Sequence, residues 1–291
     1  MSRHHVKPGA DPIVAITPED AGWSWTGLTV LALQPGRPVT LDTGPAEIFV
    51  LPLAGSLHVE VEGAAFELTG RASVFTRVSD FGYVGRDSTL TLTSTDGAEV
   101  ALPSARCTER RAPAYGAAED VPVEVRGAGQ ATRQVTNFGV PGVWEHAEKV
   151  ICCEVLTPPG NWSSYPPHKH DASAPCPVVN EEIYLYRVGG PGRTGIGYHR
   201  TYTTAEHEAA GLAPIDDIFE VRDLDTVLVP HGYHGPSIAA PGYPLYYLNV
   251  MAGPGTREMA FCDDPAHGWI RTSWTDDQPD PRCPMTSAKE G

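Results

Sequence analysis

Gly160-Asn161-Trp162-Ser163-Ser164-Tyr165-Pro166-Pro167-His168-Lys169-His170-Asp171 is the stretch on which the reading of this chain turns, together with Asn180-Glu181-Glu182-Ile183-Tyr184 and Pro230-His231-Gly232-Tyr233-His234. Successive side chains of a β-strand point to opposite faces, so His168 and His170 fall on one side, roughly 6.6 Å apart, with Lys169 turned away. A lone His-x-His on a strand is more often surface decoration than a ligand pair. An acidic residue in phase on a second strand and a third histidine on a following apolar strand reverse that judgement. His168, His170, Glu182 and His234 are therefore expected to converge on one divalent metal ion.

Glu181 and Glu182 compete for the carboxylate position. Alternation along Glu182-Ile183-Tyr184-Leu185-Tyr186 places Glu182 with the two tyrosines and Glu181 with the apolar residues, which selects Glu182. In Tyr246-Tyr247-Leu248-Asn249-Val250 the polar pair Tyr247 and Asn249 is the better lining for a wet site. Tyr184 and Tyr247 are candidate proton-transfer groups. Arg133 and Arg257 are candidates to clamp a substrate carboxylate, with Asn249 as a further substrate contact. His199, His207 and His267 read as surface residues, His231 as a neighbour of the site or an exposed side chain, and His4-His5 as part of a flexible segment.

Outward from these motifs the chain reads as short strands. Leu28–Leu33, Glu47–Leu53, Leu57–Val61 and Thr89–Thr93 are separated by turn clusters such as Gln34-Pro35-Gly36-Arg37-Pro38, and the 30 glycines and 28 prolines are spread without period. That pattern predicts an all-β sandwich or barrel. One helix is expected, over Thr203–Ala210, as an insert above a barrel. With 291 residues, of which 41% are hydrophobic, the chain can fill two cores. A polar, Ala-rich crossover between Ser104 and Gly129 puts the division at residues 1–115 and 116–291. Glu47-Ile48-Phe49-Val50-Leu51 resembles Glu182-Ile183-Tyr184-Leu185-Tyr186, a weak internal repeat. The residues before Glu47 hold no His-x-His, so the first half is expected to be a structural barrel without the metal site.

The formal net charge of −15 leaves no basic stripe for nucleic acid and disfavours an anionic membrane surface. An anionic substrate would have to be held by local arginines or a metal. Six cysteines without a CxxC pair suggest buried or idle thiols. No 18-residue apolar run or leader-like segment occurs, from which a cytoplasmic location is expected. Nothing here sets the oligomeric state, a homo-oligomer included.

The His-x-His, Glu, Pro-x-Gly-x-His order resembles the cupin superfamily. More closely, Thr157–Asp171, Glu182–Arg187, Val229–His234 and Tyr246–Gly253 resemble the 5-deoxy-glucuronate isomerases of myo-inositol catabolism, a family related to the 5-keto-4-deoxyuronate isomerases of pectin breakdown. The resemblance covers the second half closely and the first loosely. It implies a bicupin with a degenerate N-terminal barrel. It also implies a uronic acid substrate, aldose–ketose isomerisation without a redox cofactor, and a divalent cation, zinc first, with manganese or iron as alternatives. Isomerisation of another uronate and an Fe(II)-dependent dioxygenase are the rival enzyme readings, and a non-catalytic sugar-binding cupin is a third. Two departures from the general cupin pattern stand out. One residue, not two, separates Gly232 from His234, and Gly235 follows His234 where a proline is expected, with Pro236 one position later.

Overall fold

The structure is a computed structural model and describes residues 2–274 and 278–289. Strands dominate it, as the alternation predicts, and form three sheets. A nine-stranded sheet system built from the first part of the chain curls into one barrel. Its longest strand, Ala46–Val61, pairs with Ala98–Arg106, Ala64–Arg71, Phe81–Val84 and Thr89–Thr93. The second barrel has two walls. A seven-stranded wall carries Arg133–Gly139, Ile151–Thr157, Leu245–Ala252 and Glu181–Val188, and a six-stranded wall carries His168–Lys169, Tyr233–Ala239 and Gly197–Tyr202. The short helix Ala205–Ala209 forms where Ala and Glu favour it, and His207 Nδ1 reaches back to accept from the Thr204 N–H at 3.0 Å.

Three apolar clusters follow from period-2 alternation on these walls. Leu31, Ile48, Val50, Val59 and Leu92 fill the first barrel. Val155, Tyr184, Tyr186, Val227 and Tyr247 line the second. The largest cluster lies between the barrels: Phe49, Leu51 and Leu53 meet Ile183, Leu185, Leu156 and Leu248. The central strands of the seven-stranded wall are thus buried on both faces, which is why they read as nearly continuous apolar runs. Each fully buried side chain of this size contributes about 1.5–3 kcal/mol.

Two glutamates pin the barrels together in a reciprocal way. Glu47, fully buried in the first barrel, accepts hydrogen bonds from the Tyr83 hydroxyl (2.6 Å) and from the backbone N–H groups of Glu148, Lys149 and Val150 (2.9, 2.6 and 2.8 Å), just before a strand of the second. Glu181 accepts from the N–H groups of Ser24, Trp25 and Thr26 (2.7, 2.8 and 2.9 Å), at the start of a strand of the first. This symmetry corrects the repeat. Glu47 pairs across its sheet with Ala105, itself opposite Thr26, while Glu181 pairs with Ala252. Glu47 therefore matches Glu181, and the partner of Glu182 is Ile48, a core residue of the first barrel. Both aligned segments begin with glutamate, and only the cross-strand register separates them. Arg71 of the first barrel adds an ion pair with Glu154 of the second, and the Tyr246 hydroxyl donates to the same carboxylate at 2.7 Å.

The chain ends cross between barrels. His5–Val6 pairs with Thr226–Val229 of the second barrel before Val14–Ile16 enters the first. His5 is held by Asp225 at 3.0 Å, so the expectation of a flexible His4-His5 segment is not met. Near the other end, Met285 and Thr286 donate N–H bonds to Gln134, and Ser287 accepts from the Val78 N–H at 2.9 Å. The strand Ala114–Gly116 straddles the expected division at residue 115 and still pairs with Phe81–Tyr83.

Replacing Glu47 by Ala strands three backbone N–H groups in the interface and is expected to cost about 2–4 kcal/mol. Chemical denaturation should show the midpoint of E47A falling well below that of the control E60A, whose exposed carboxylate makes only a surface contact. Equal midpoints would remove the clamp.

Candidate metal centre

The two walls of the second barrel meet at a buried polar cluster. Glu182 comes from the seven-stranded wall, where Ile183 packs into the inter-barrel core and so turns Glu182 inward. The histidines come from the opposite wall, where His168 lies directly across from His234. Glu182 Oε2 stands 2.9 Å from His170 Nε2 and 3.0 Å from His234 Nε2. Potential ligand atoms of His170, Glu182 and His234 all lie within 4.8 Å of one another. His168 flanks this compact set without belonging to it: its ring centroid is 4.5 Å from that of His234 and 6.4 Å from that of His170, and it also faces Phe261 at 4.9 Å.

The donors are oriented for a cation. Each imidazole turns Nδ1 toward a backbone carbonyl: His170 toward Asn180 (2.9 Å), His234 toward Gly232 (3.3 Å) and His168 toward Pro166 (3.4 Å). A proton on Nδ1 leaves Nε2 as the free donor, the arrangement typical of metal-binding histidines. His234 Nε2 is buried and has no hydrogen-bond partner even though the carboxylate is near. Asn249 donates to Glu182 Oε1 at 2.6 Å and fixes the carboxylate plane. Burial alone would raise the Glu182 pKa, but the two imidazoles set against its Oε2, His234 and His170, outweigh it and hold the carboxyl well below its usual range. Burial, helped by His234 and His170, keeps His168 neutral. An orphaned imidazole nitrogen, a second one against an ionised carboxylate and three fixed tautomers fit a divalent cation.

The surrounding cavity is lined by Tyr184, Tyr247 and Asn249, by Ser164, and by Arg126, Arg133 and Arg271. Tyr184 shares a 2.9 Å hydrogen bond with Ser164, a residue held at φ 50°. Gly235 explains one departure in the motif: at φ 97° a side chain there would meet the Ser164 carbonyl at 1.9 Å, so only glycine lets the two segments of the cavity wall approach. Lys169, on the outward face, is fully buried and donates to the carbonyls of Ser173 and Ala174, each at 3.1 Å.

Arg257 lies away from this cavity. Its guanidinium donates to the carbonyls of Val150, Trp144 and Gly139 at 2.8, 2.7 and 2.5 Å and is used up as a backbone brace. His199 and His207 are not surface residues: they are 1% and 0% exposed. His199 is bonded to Tyr186 (2.6 Å) and Thr201 (3.0 Å) behind the site. Sequence reasoning missed Ser164, Arg126 and Arg271. Arg126 sits directly across from Arg133 in the hairpin Val123–Arg126/Arg133–Gly139, a pairing that the alternation of both segments could have revealed.

The chain matches the KduI/IolB family over residues 1–270 and belongs to it. It is 37% identical over 268 residues to the 5-deoxy-glucuronate isomerase of Geobacillus kaustophilus (strain HTA426), covering 90% of this chain and 91% of that one. Against the enzyme of the same name from Bacillus subtilis (strain 168) it is 35% identical over 270 residues, 92% and 95% of the two chains. Among solved structures, an IolB-like protein from Salmonella typhimurium LT2 superposes with a TM-score of 0.84 at 29% identity, over 93% of this chain and 100% of that one. Oxalate decarboxylase from Lactobacillus farciminis superposes at 0.59 with 12% identity, over 84% and 82%, which shows the shared bicupin fold.

His170→Ala and Glu182→Ala are expected to lose bound divalent metal, and Asn249→Ala to weaken it about tenfold to a hundredfold through a carboxylate left unoriented. Elemental analysis after dialysis against graded chelator measures this. A Glu182→Ala variant that kept stoichiometric metal would sink the assignment.

Proposed function

From its place in the KduI/IolB family and the donor cluster of its second barrel, we propose that this chain isomerises 5-deoxy-D-glucuronate to 2-deoxy-5-keto-D-gluconate in myo-inositol catabolism. The observation that carries the reading is one cavity where two chemistries meet: His170 and Glu182 of the donor set that His234 completes, flanked by His168, and guanidinium groups on the remaining polar wall. The first suits a carbonyl with its neighbouring hydroxyl, and the second suits a carboxylate. We assign zinc as the cation on its nitrogen-rich donor set, with manganese or iron(II) compatible. A uronic acid is then the only partner the reading requires. The acidic chain offers no nucleic-acid surface, and none of its described helices is long and apolar enough to cross a membrane. The activity belongs in the cytoplasm, and a homo-oligomer is compatible with it.

Isomerisation of an aldose to a ketose needs a proton taken from the carbon beside the carbonyl, a stabilised oxyanion and the proton returned to the adjacent carbon. When bound, the divalent cation supplies Lewis-acid polarisation of the two oxygens. The chain's own residues position the substrate and stabilise the charge that develops on it. Tyr184 and Tyr247 line the cavity, and burial pushes both phenols far above their ordinary pKa, assisted at Tyr184 by the Glu182 charge. They are neutral hydroxyls and act as hydrogen-bond donors to developing negative charge rather than as bases. Ser164 fixes the Tyr184 hydroxyl, and Asn249 acts through Glu182. The apolar wall of Val135, Val155 and Met251 keeps water from the reacting carbons.

Purified chain should convert 5-deoxy-D-glucuronate under anaerobic conditions, lose turnover on chelation and regain it with zinc. Tyr184→Phe should lower kcat about tenfold to a hundredfold with metal content unchanged. Deuterium from solvent should appear at the carbon that receives the proton. Oxygen-dependent turnover would point to a dioxygenase, and full activity after complete metal removal would end the proposal.

A further inference from the structure

Charge balance in the cavity sets one residue apart. Three guanidinium groups line it, and two are already neutralised within the chain. Arg126 is forked onto Glu124 at 3.1 and 2.7 Å. Arg271 is forked onto Asp263 at 2.5 and 2.7 Å and stacks over Phe261 at 5.0 Å. Arg133 has no such partner. Only 5% exposed, it donates to the Ala131 carbonyl at 3.0 Å and lies 5.7 Å from the Trp274 ring, and among the described residues no carboxylate comes within ion-pair distance of it. Burial, with repulsion from Arg126 and Arg271, pushes its pKa down to about 10. It therefore stays charged at neutral pH. A buried, uncompensated cation costs several kcal/mol and is retained where an anion completes it.

We propose that Arg133 is the anion anchor of this cavity, a single unmatched cation that selects singly charged sugar acids over neutral sugars and over doubly charged phosphate esters. This deepens the isomerase reading and rests on it for the identity of the sugar. The selectivity follows from the count. One carboxylate neutralises Arg133, a neutral sugar leaves it buried and unpaired, and a phosphate dianion brings a second charge that the paired Arg126 and Arg271 can take up only by releasing their own carboxylates. The planar fork of arginine also fits the two oxygens of a carboxylate. Trp274, in the C-terminal segment, lies against the guanidinium. Tyr247 lines the same cavity as Arg133 and Glu182. A uronate held by its acid end at Arg133 then presents its other end to the donor cluster.

Calorimetric titration of the metal-loaded full-length chain with D-glucuronate, D-glucose and D-glucose 6-phosphate tests this. Wild type is expected to bind glucuronate about tenfold to a hundredfold more tightly than either of the others. Arg133→Gln should erase that preference, and Arg133→Lys should restore part of it. Metal content should be the same in all three proteins. Removing an unpaired buried charge should also leave the Tm of Arg133→Gln unchanged or raised, whereas a purely structural arginine would lower it. Glucuronate preference retained in Arg133→Gln, or absent from wild type, would overturn the anchor. Failure to turn over 5-deoxy-D-glucuronate with the preference intact would instead remove the activity and leave the anchor standing.

Discussion

The rest of the molecule depends on a wall that is buried on both faces. The strands Ile151–Thr157, Glu181–Val188 and Leu245–Ala252 belong to the second barrel but form the surface against which the first packs. Every residue on them is committed to one side or the other. Ile183, Leu185 and Leu248 serve the inter-barrel core, while Glu182, Tyr184, Tyr247 and Asn249 serve the cavity. A slip of one residue would exchange the two sets, driving Glu182 into an apolar interface. The catalytic register is thus held from behind by packing that never touches the site.

The same wall explains how the barrel tolerates its internal charges. Glu182 is countered by imidazoles across the cavity and braced by Asn249, Glu154 is met by Arg71 and Tyr246, and Glu181 is capped by backbone amides. Each of these carboxylates has several donors fixed before any ligand arrives, so its oxygens are not left unpaired in a dry setting. Arg133 is the exception, and the exception faces the cavity.

Much of this could be read from the sequence. Spacing brought His168 and His170 to one cavity, although His168 flanks the donor set and does not join it, alternation chose Glu182 over Glu181 and Tyr247 with Asn249 over their neighbours, and turn residues set the all-β class. The unread parts have physical reasons. The repeat was set one residue out because Glu47 and Glu182 each precede an isoleucine, and only the cross-strand pairing with Ala105 and Ala252 shows that Glu47 corresponds to Glu181. His199 and His207 looked exposed because nothing local reveals Tyr186 or Asp171 as their neighbours. Arg257 and Arg133 carry the same side chain in similar local sequence. What separates them is whether backbone carbonyls happen to consume the guanidinium, a fact of tertiary structure alone.

The crossing of the two chain ends bears on how such a protein can change. A duplicated barrel is often pictured as two modules that could be shuffled or lost singly. Here the first few residues complete a sheet of the later barrel, and residues 285–287 tie the later barrel to the earlier one. The later barrel is not a contiguous piece of sequence. The first barrel, which holds no donor cluster among the described residues, is therefore not a dispensable relic, because removing it would take away the packing surface of its partner.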